Sequence, residues 1–169
     1  MKYLVDIGAL GILYVLVFFP GWKNRGRVRV LVNTLMYLYL GLVLFFTLMP
    51  VITKLPFILN HRYQPMNMIP FVDVLKGRGD FLRQVALNVG MTVPFGFLCP
   101  LTRRGGGKFG RTVLFCFLMS LGIELVQPFF NRSSDITDLI TNMVGGVLGY
   151  GLYVVFRPVT GWIIGRLRA

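Results

Sequence analysis

SLGIELVQPFFNRSSDITDLITNMVGG, residues Ser120–Gly146, decides how this chain is read. Glu124, Gln127, Arg132, Asp135, Asp138 and Asn142 fall within nineteen positions, and apolar runs flank them on both sides. A loop in water carries such groups at little cost. Glu124 and Gln127, however, lie inside the apolar run Thr112–Phe130. In hydrocarbon an ionisable side chain costs about 2.5–3.5 kcal/mol by insertion scales, and it turns towards a partner or a cavity. The meaning of the stretch therefore depends on where a membrane lies.

Outward from it, the chain shows five apolar stretches: Tyr3–Phe19, Val30–Met49, Val85–Leu101, Thr112–Phe130 and Leu139–Phe156. Each is close to the ~17–25 residues that span a hydrocarbon core. Composition agrees, at 55% hydrophobic and 14% charged with a mean hydropathy of +0.69, where a soluble domain is about one-quarter charged. In lipid every backbone group needs an internal partner, so the spans are helices. Pro158–Leu167 is too short for a sixth. The first stretch follows Lys2 as a signal peptide would, but FFPGWKNRGR offers no small-x-small cleavage site, and a retained helix is predicted. Asp6 is expected to snorkel to the interface. The predicted fold class is an all-α integral membrane protein of about five transmembrane helices, with residues 1–169 forming a single polytopic domain.

The net charge of +12 raises nucleic acid as a partner. Nucleic-acid binders gather Lys and Arg on one face of a soluble domain; here the basic residues fall in short clusters between apolar runs, a topogenic pattern. Lys23, Arg25, Arg27, Arg29, Arg103, Arg104, Lys108, Arg111, Arg157, Arg166 and Arg168 share one side in a five-helix arrangement, and the remaining seven of the eighteen Lys and Arg share the other. The positive-inside rule then predicts an outer N-terminus and a cytoplasmic C-terminus. The outer segment Pro50–Gln84 is too long for a turn. Pro70 is placed to start a short interfacial or re-entrant helix, PFVDVLKG, with Phe71, Val72 and Leu75 on its apolar side.

Polar groups converge on the outer side. Glu124 and Gln127 share a helix face. S-S-D at 133–135 offers an N-cap for the fifth helix, with Asp138 in its first turn and Asn142 a turn deeper. Asn88 and Thr92 bring the third helix to the same depth, Asn67 precedes Ile69-Pro70-Phe71, and Pro94 with Gly96 predicts a kink. Arg132 is the expected partner of Glu124 or Asp138, and its guanidinium suits phosphate or carboxylate. Gly145 and Gly149 form a small-x-x-x-small pair that lets another helix approach closely. One reading is a polar lock that fixes helix packing; the other is a pocket for a polar head group. Cys99 and Cys116 read as buried hydrophobes. His61 has no metal-ligating neighbour in sequence, so no metal or cofactor is expected.

NMIPF at Asn67–Phe71, N-x5-PFGFLCP from Asn88 to Pro100, and IELVQPFFNRSSDITDLITNMVGGVLGY from Ile123 to Tyr150 together resemble the VanZ-like family of membrane proteins. The signature lies within 67–150. The resemblance implies a multi-pass protein of the bacterial plasma membrane, linked to the cell envelope and to teicoplanin resistance. It implies Asn67, Asn88, Glu124, Gln127, Arg132, Asp135, Asp138 and Asn142 as ligand-binding candidates, with membrane lipids, an envelope lipid precursor or a glycopeptide as partners and no nucleic acid. It supplies no reaction and no oligomeric state. Two functions stay open: a binding protein whose outer pocket holds a head group or the antibiotic, and an enzyme that modifies an envelope lipid or glycan with Glu124 as acid or base. A transporter is poorly matched, because no internal repeat is visible.

The topology prediction is direct. A membrane-impermeant maleimide should label Ser133→Cys in intact cells and Lys108→Cys only after the membrane is opened; the opposite pattern would invert the arrangement.

Overall fold

The computed structural model describes residues 2–58, 63–72, 77, 79–103 and 107–167. Most of the helix expected from Pro70 to Gly77, and His61, lie outside them. Among the described residues, five helices are long and apolar enough to cross a membrane: α1 Lys2–Lys23, α2 Arg27–Thr47, α3 Phe81–Leu101, α4 Phe109–Val126, which continues as a 3-10 turn Gln127–Phe130, and α5 Ile136–Arg166. Among the described residues there is no strand, only an isolated parallel bridge between Asn67 and Asp135. The protein is an all-α membrane protein.

α5 is the central helix. α3 and α4 pack against it, α2 packs on α3, and α1 lies outermost on α2. Leu4, Leu16, Leu38 and Phe46 are exposed in this arrangement, a lipid-facing surface rather than a defect. Tyr39 and Val43 of α2, Phe95 and Cys99 of α3, and Cys116 and Ile123 of α4 form the buried apolar cluster. Both cysteines are free and buried, as expected.

Glycine sets the spacing at the centre. A Cβ on Gly145 would collide with Thr92 and the Val89 carbonyl, and one on Gly149 with the Val93 carbonyl. Across the interface, a Cβ on Gly96 would strike the Gly146 carbonyl oxygen. The backbones of α3 and α5 thus meet where neither helix has a side chain, as small-residue interfaces in membranes do.

Two expectations need correction. Asp6 does not snorkel: it is 4% exposed, and its carboxylate accepts the Val51 and Ile52 amides at 2.9 and 2.8 Å, so it ties α1 to the segment after α2. Pro94 lies inside α3, which is helical from Phe81 to Leu101, and the Tyr39 hydroxyl donates to the Met91 carbonyl at 2.8 Å nearby. The fifth helix does not stop at Phe156. It runs 31 residues through Pro158, about 46 Å at 1.5 Å per residue, and so extends beyond a hydrocarbon core of about 30 Å.

The glycine contact predicts a position-specific cost. Gly149→Leu should lower detergent-solubilised stability by about 3 kcal/mol or more through forced separation of backbones. Gly151→Leu, where a Cβ meets nothing within 4 Å, should change it by less than about 0.5 kcal/mol. Thermal unfolding followed by size-exclusion chromatography compares the two.

Candidate functional site

The site is built where the chain turns from α4 into α5. The 3-10 turn Gln127–Phe130 ends at Asn131, which is left-handed at φ 58 and reverses the chain. Asp135 then caps α5, its Oδ1 accepting the Thr137 amide at 2.7 Å. Behind this turn lies Glu124, only 2% exposed. Its Oε2 accepts the Ser134 hydroxyl at 2.8 Å and the Asp135 amide at 3.1 Å. A carboxyl group of α4 thereby holds the first residues of α5, and a polar group inside an apolar helix is satisfied.

The segment before α3 is attached to the same turn. Asn67 donates its backbone amide to Ser134 O and accepts from the Ile136 amide, both at 2.9 Å. Its side chain donates to Asp135 Oδ2 at 2.7 Å and accepts the Ile69 amide at 3.1 Å. The Phe71 amide donates to Thr137 Oγ1 at 2.9 Å. From α3, Asn88 Nδ2 donates to Asp138 Oδ1 at 2.6 Å. One layer deeper, Thr92 Oγ1 donates to the Asn142 carbonyl at 2.8 Å, and Asn142 Nδ2 donates to Ser120 Oγ of α4 at 2.9 Å.

These attachments enclose a cavity of about 570 Å³. Asn67, Asn88, Asp135, Asp138, Ser133 and Thr137 supply its polar wall, and Phe71, Val72, Phe81, Val85 and Leu87 its apolar one. This size and mixture are those of small-ligand sites.

The eight predicted residues separate into three groups. Asn67, Asn88, Asp135 and Asp138 line the cavity. Glu124 and Asn142 are buried behind it, where they join α4 to α5. Gln127 and Arg132 face away, towards the end of α2. Arg132 Nη1 donates to the Phe46 and Thr47 carbonyls at 2.8 and 2.7 Å, and Gln127 Nε2 approaches Thr47 O at 3.5 Å. The expected pairing of Arg132 with Glu124 or Asp138 is therefore corrected. The guanidinium satisfies carbonyls that a helix C-terminus leaves open, and its charge complements that end of the dipole. Among the described residues the one ion pair is Arg83–Asp80 at 3.8 Å, on the surface.

Sequence reasoning missed Ser120, Ser134 and Thr137 as members of this network. Ser134 carried a signal, since it directly precedes the N-cap and has a glutamate ten positions earlier. Ser120 and Thr137 carried none beyond helical phase. Asn142 Oδ1 and Gln127 Oε1 are buried without a hydrogen-bond partner among the described residues.

The profile of the VanZ/LLP1 family matches residues 7–157. The chain belongs to the VanZ/LLP1 family. It is also similar to the protein named "Protein VanZ" of Enterococcus faecium, 32% identical over 126 residues that cover 74% of each chain. No solved structure matches it significantly. The family match takes in α1 and α2 as well as the polar turn, so this VanZ/LLP1 chain shares more with its relatives than the outer signature.

The network separates scaffold from chemistry at Glu124. Glu124→Ala leaves the Ser134 hydroxyl and Asp135 amide without their acceptor and should cost about 2–4 kcal/mol. Glu124→Gln keeps an acceptor oxygen and should stay within about 1 kcal/mol of wild type. Unfolding in matched detergent measures both.

Proposed function

We propose that this VanZ-family protein binds the polar head group of an envelope lipid, or a lipid-anchored glycopeptide, in the cavity between α3 and α5, and thereby lowers susceptibility to teicoplanin-type antibiotics. The cavity faces the outer surface of the bacterial plasma membrane, with the N-terminus outside and the C-terminus cytoplasmic, an orientation supported by the basic loops at the opposite end.

The observation that carries this reading is the convergence of polar side chains from three separate segments, Asn67, Asn88, Asp135 and Asp138 among them, on one cavity that also has an apolar wall. A lock needs hydrogen bonds but no space. Asp135 and Asp138 present acceptor oxygens and Asn67 and Asn88 present amides, a set suited to hydroxyl- and amine-bearing groups such as sugars and amino sugars. The apolar wall suits the adjoining lipid chain. Arg132 is not part of this lining, and its Nη1 donates to the α2 carbonyls.

The acid–base role of Glu124 has less support. The side chain does not line the cavity, and its Oε2 already receives two donors, whereas a general acid or base must reach the proton it transfers.

A susceptibility assay tests the reading. In a teicoplanin-sensitive host, wild-type protein should raise the inhibitory concentration at least about fourfold. The double substitution Asn67→Ala with Asn88→Ala should remove most of that protection at equal membrane abundance, since each lost polar contact in a buried site is worth about 1–3 kcal/mol. Protection unaffected by the cavity substitutions would overturn the assignment.

A further inference from the structure

The other end of the bundle holds a larger cavity, of about 930 Å³. Arg25, Arg27 and Arg29, at the α1–α2 connection, converge on it with Arg103 after α3 and Arg157 of α5. Its floor is apolar, with Val32, Leu101 and the buried Tyr153. The chain has six acidic residues, Asp6, Asp73, Asp80, Glu124, Asp135 and Asp138, and none occurs in 20–29, 102–111 or 157–169. Five arginines therefore line one cavity, the Arg103 guanidinium resting over the Phe115 ring at its side, and among the described residues no acidic side chain lines it.

The start of α2 reinforces the imbalance. Its N-cap is Gly26, without a side-chain cap and without an acid in the first turn. Arg27 and Arg29 stand there instead, next to the positive end of the helix dipole. The Arg29 side chain is anchored, Nη2 donating to Thr102 O at 3.1 Å.

Topogenesis alone accounts for a basic end but not for this distribution. The positive-inside rule accepts Lys and Arg alike. Lys23 and Lys108 belong to the same end, yet neither lines the cavity, whose basic residues are all arginines. Arginine is the residue whose planar fork holds phosphate oxygens in pairs. Basic pockets between membrane helices are also a known setting for anionic head groups.

We propose that this arginine-lined cavity binds the phosphate of an anionic membrane lipid, with the acyl chains running along its apolar floor. The phosphate supplies the negative charge that the described lining lacks.

Purified protein in phosphatidylcholine nanodiscs, titrated with phosphatidylglycerol and followed by thermal shift and native mass spectrometry, tests this. Wild type should gain stability and retain bound phosphatidylglycerol, and the effect should weaken with salt. Arg25→Gln, Arg103→Gln and Arg157→Gln combined should weaken retention at least about tenfold. Their lysine counterparts, which keep charge but lose the fork, should weaken it several-fold. Lys23→Gln with Lys108→Gln should leave it unchanged, and this pair reports on the site even if the triple glutamine variant fails to assemble. Inorganic phosphate alone should neither stabilise the protein nor compete at millimolar concentration. Equal retention of phosphatidylglycerol by the arginine variants, an equal loss in the lysine pair, or competition by free phosphate as effective as by lipid would each overturn the proposal.

Discussion

The carboxyl group of Glu124 fixes the turn on which one end of this protein is organised. It receives the hydroxyl of Ser134 and the backbone amide of Asp135, and so joins α4 to the N-cap of α5. Everything at that end hangs from the turn. Asp135 caps α5 and holds Asn67; Asn67 pairs its backbone with Ser134 and Ile136; Asp138, three residues on, receives Asn88 from α3. Water would compete for each of these bonds in a soluble protein. With little water present, an unmade bond is expensive and a made one is retained.

The glycine contacts do the complementary work one layer down. With no side chains at Gly145, Gly149 and Gly96, α3 lies against α5 backbone to backbone, and Asn88 and Thr92 are brought within hydrogen-bonding distance of Asp138 and the Asn142 carbonyl. A polar cavity and a close helix crossing are thus consequences of the same packing. The long α5, which carries glycine contacts, Asp138 and Arg157, connects the polar turn at one end to the arginine-lined cavity at the other.

Much of this was legible in the sequence, and what was not has a physical reason. Length and hydropathy define five helices because a bilayer leaves the backbone no alternative. S-S-D placed the start of α5 through capping chemistry that is local to a few residues. The small-x-x-x-small pair marked the tight crossing. Pairings between distant segments were not visible. Arg132 and Glu124 carry opposite charge and lie eight positions apart, so an ion pair is the natural reading; the 3-10 turn and the left-handed Asn131 rotate Arg132 away, towards the carbonyls of α2. Asp6 looked like an end residue because nothing local showed that the Val51 and Ile52 amides return to it. The eight polar candidates were a single set in sequence, and only the fold divides them into cavity wall, buried support and helix cap.

The central claim is that the space between α3 and α5 holds an envelope head group rather than serving as packing alone. Photo-crosslinking from inside it is the most direct test. A benzophenone amino acid at Val85, in the cavity wall, is compared with one at Leu148, an exposed residue on α5, in cells grown with and without teicoplanin. The account predicts that the Val85 probe captures a sugar- or amine-bearing envelope lipid, or the antibiotic itself, and that the Leu148 probe captures only bulk phospholipid. The same bulk-phospholipid adducts at both positions would contradict it and leave the polar network as a structural lock.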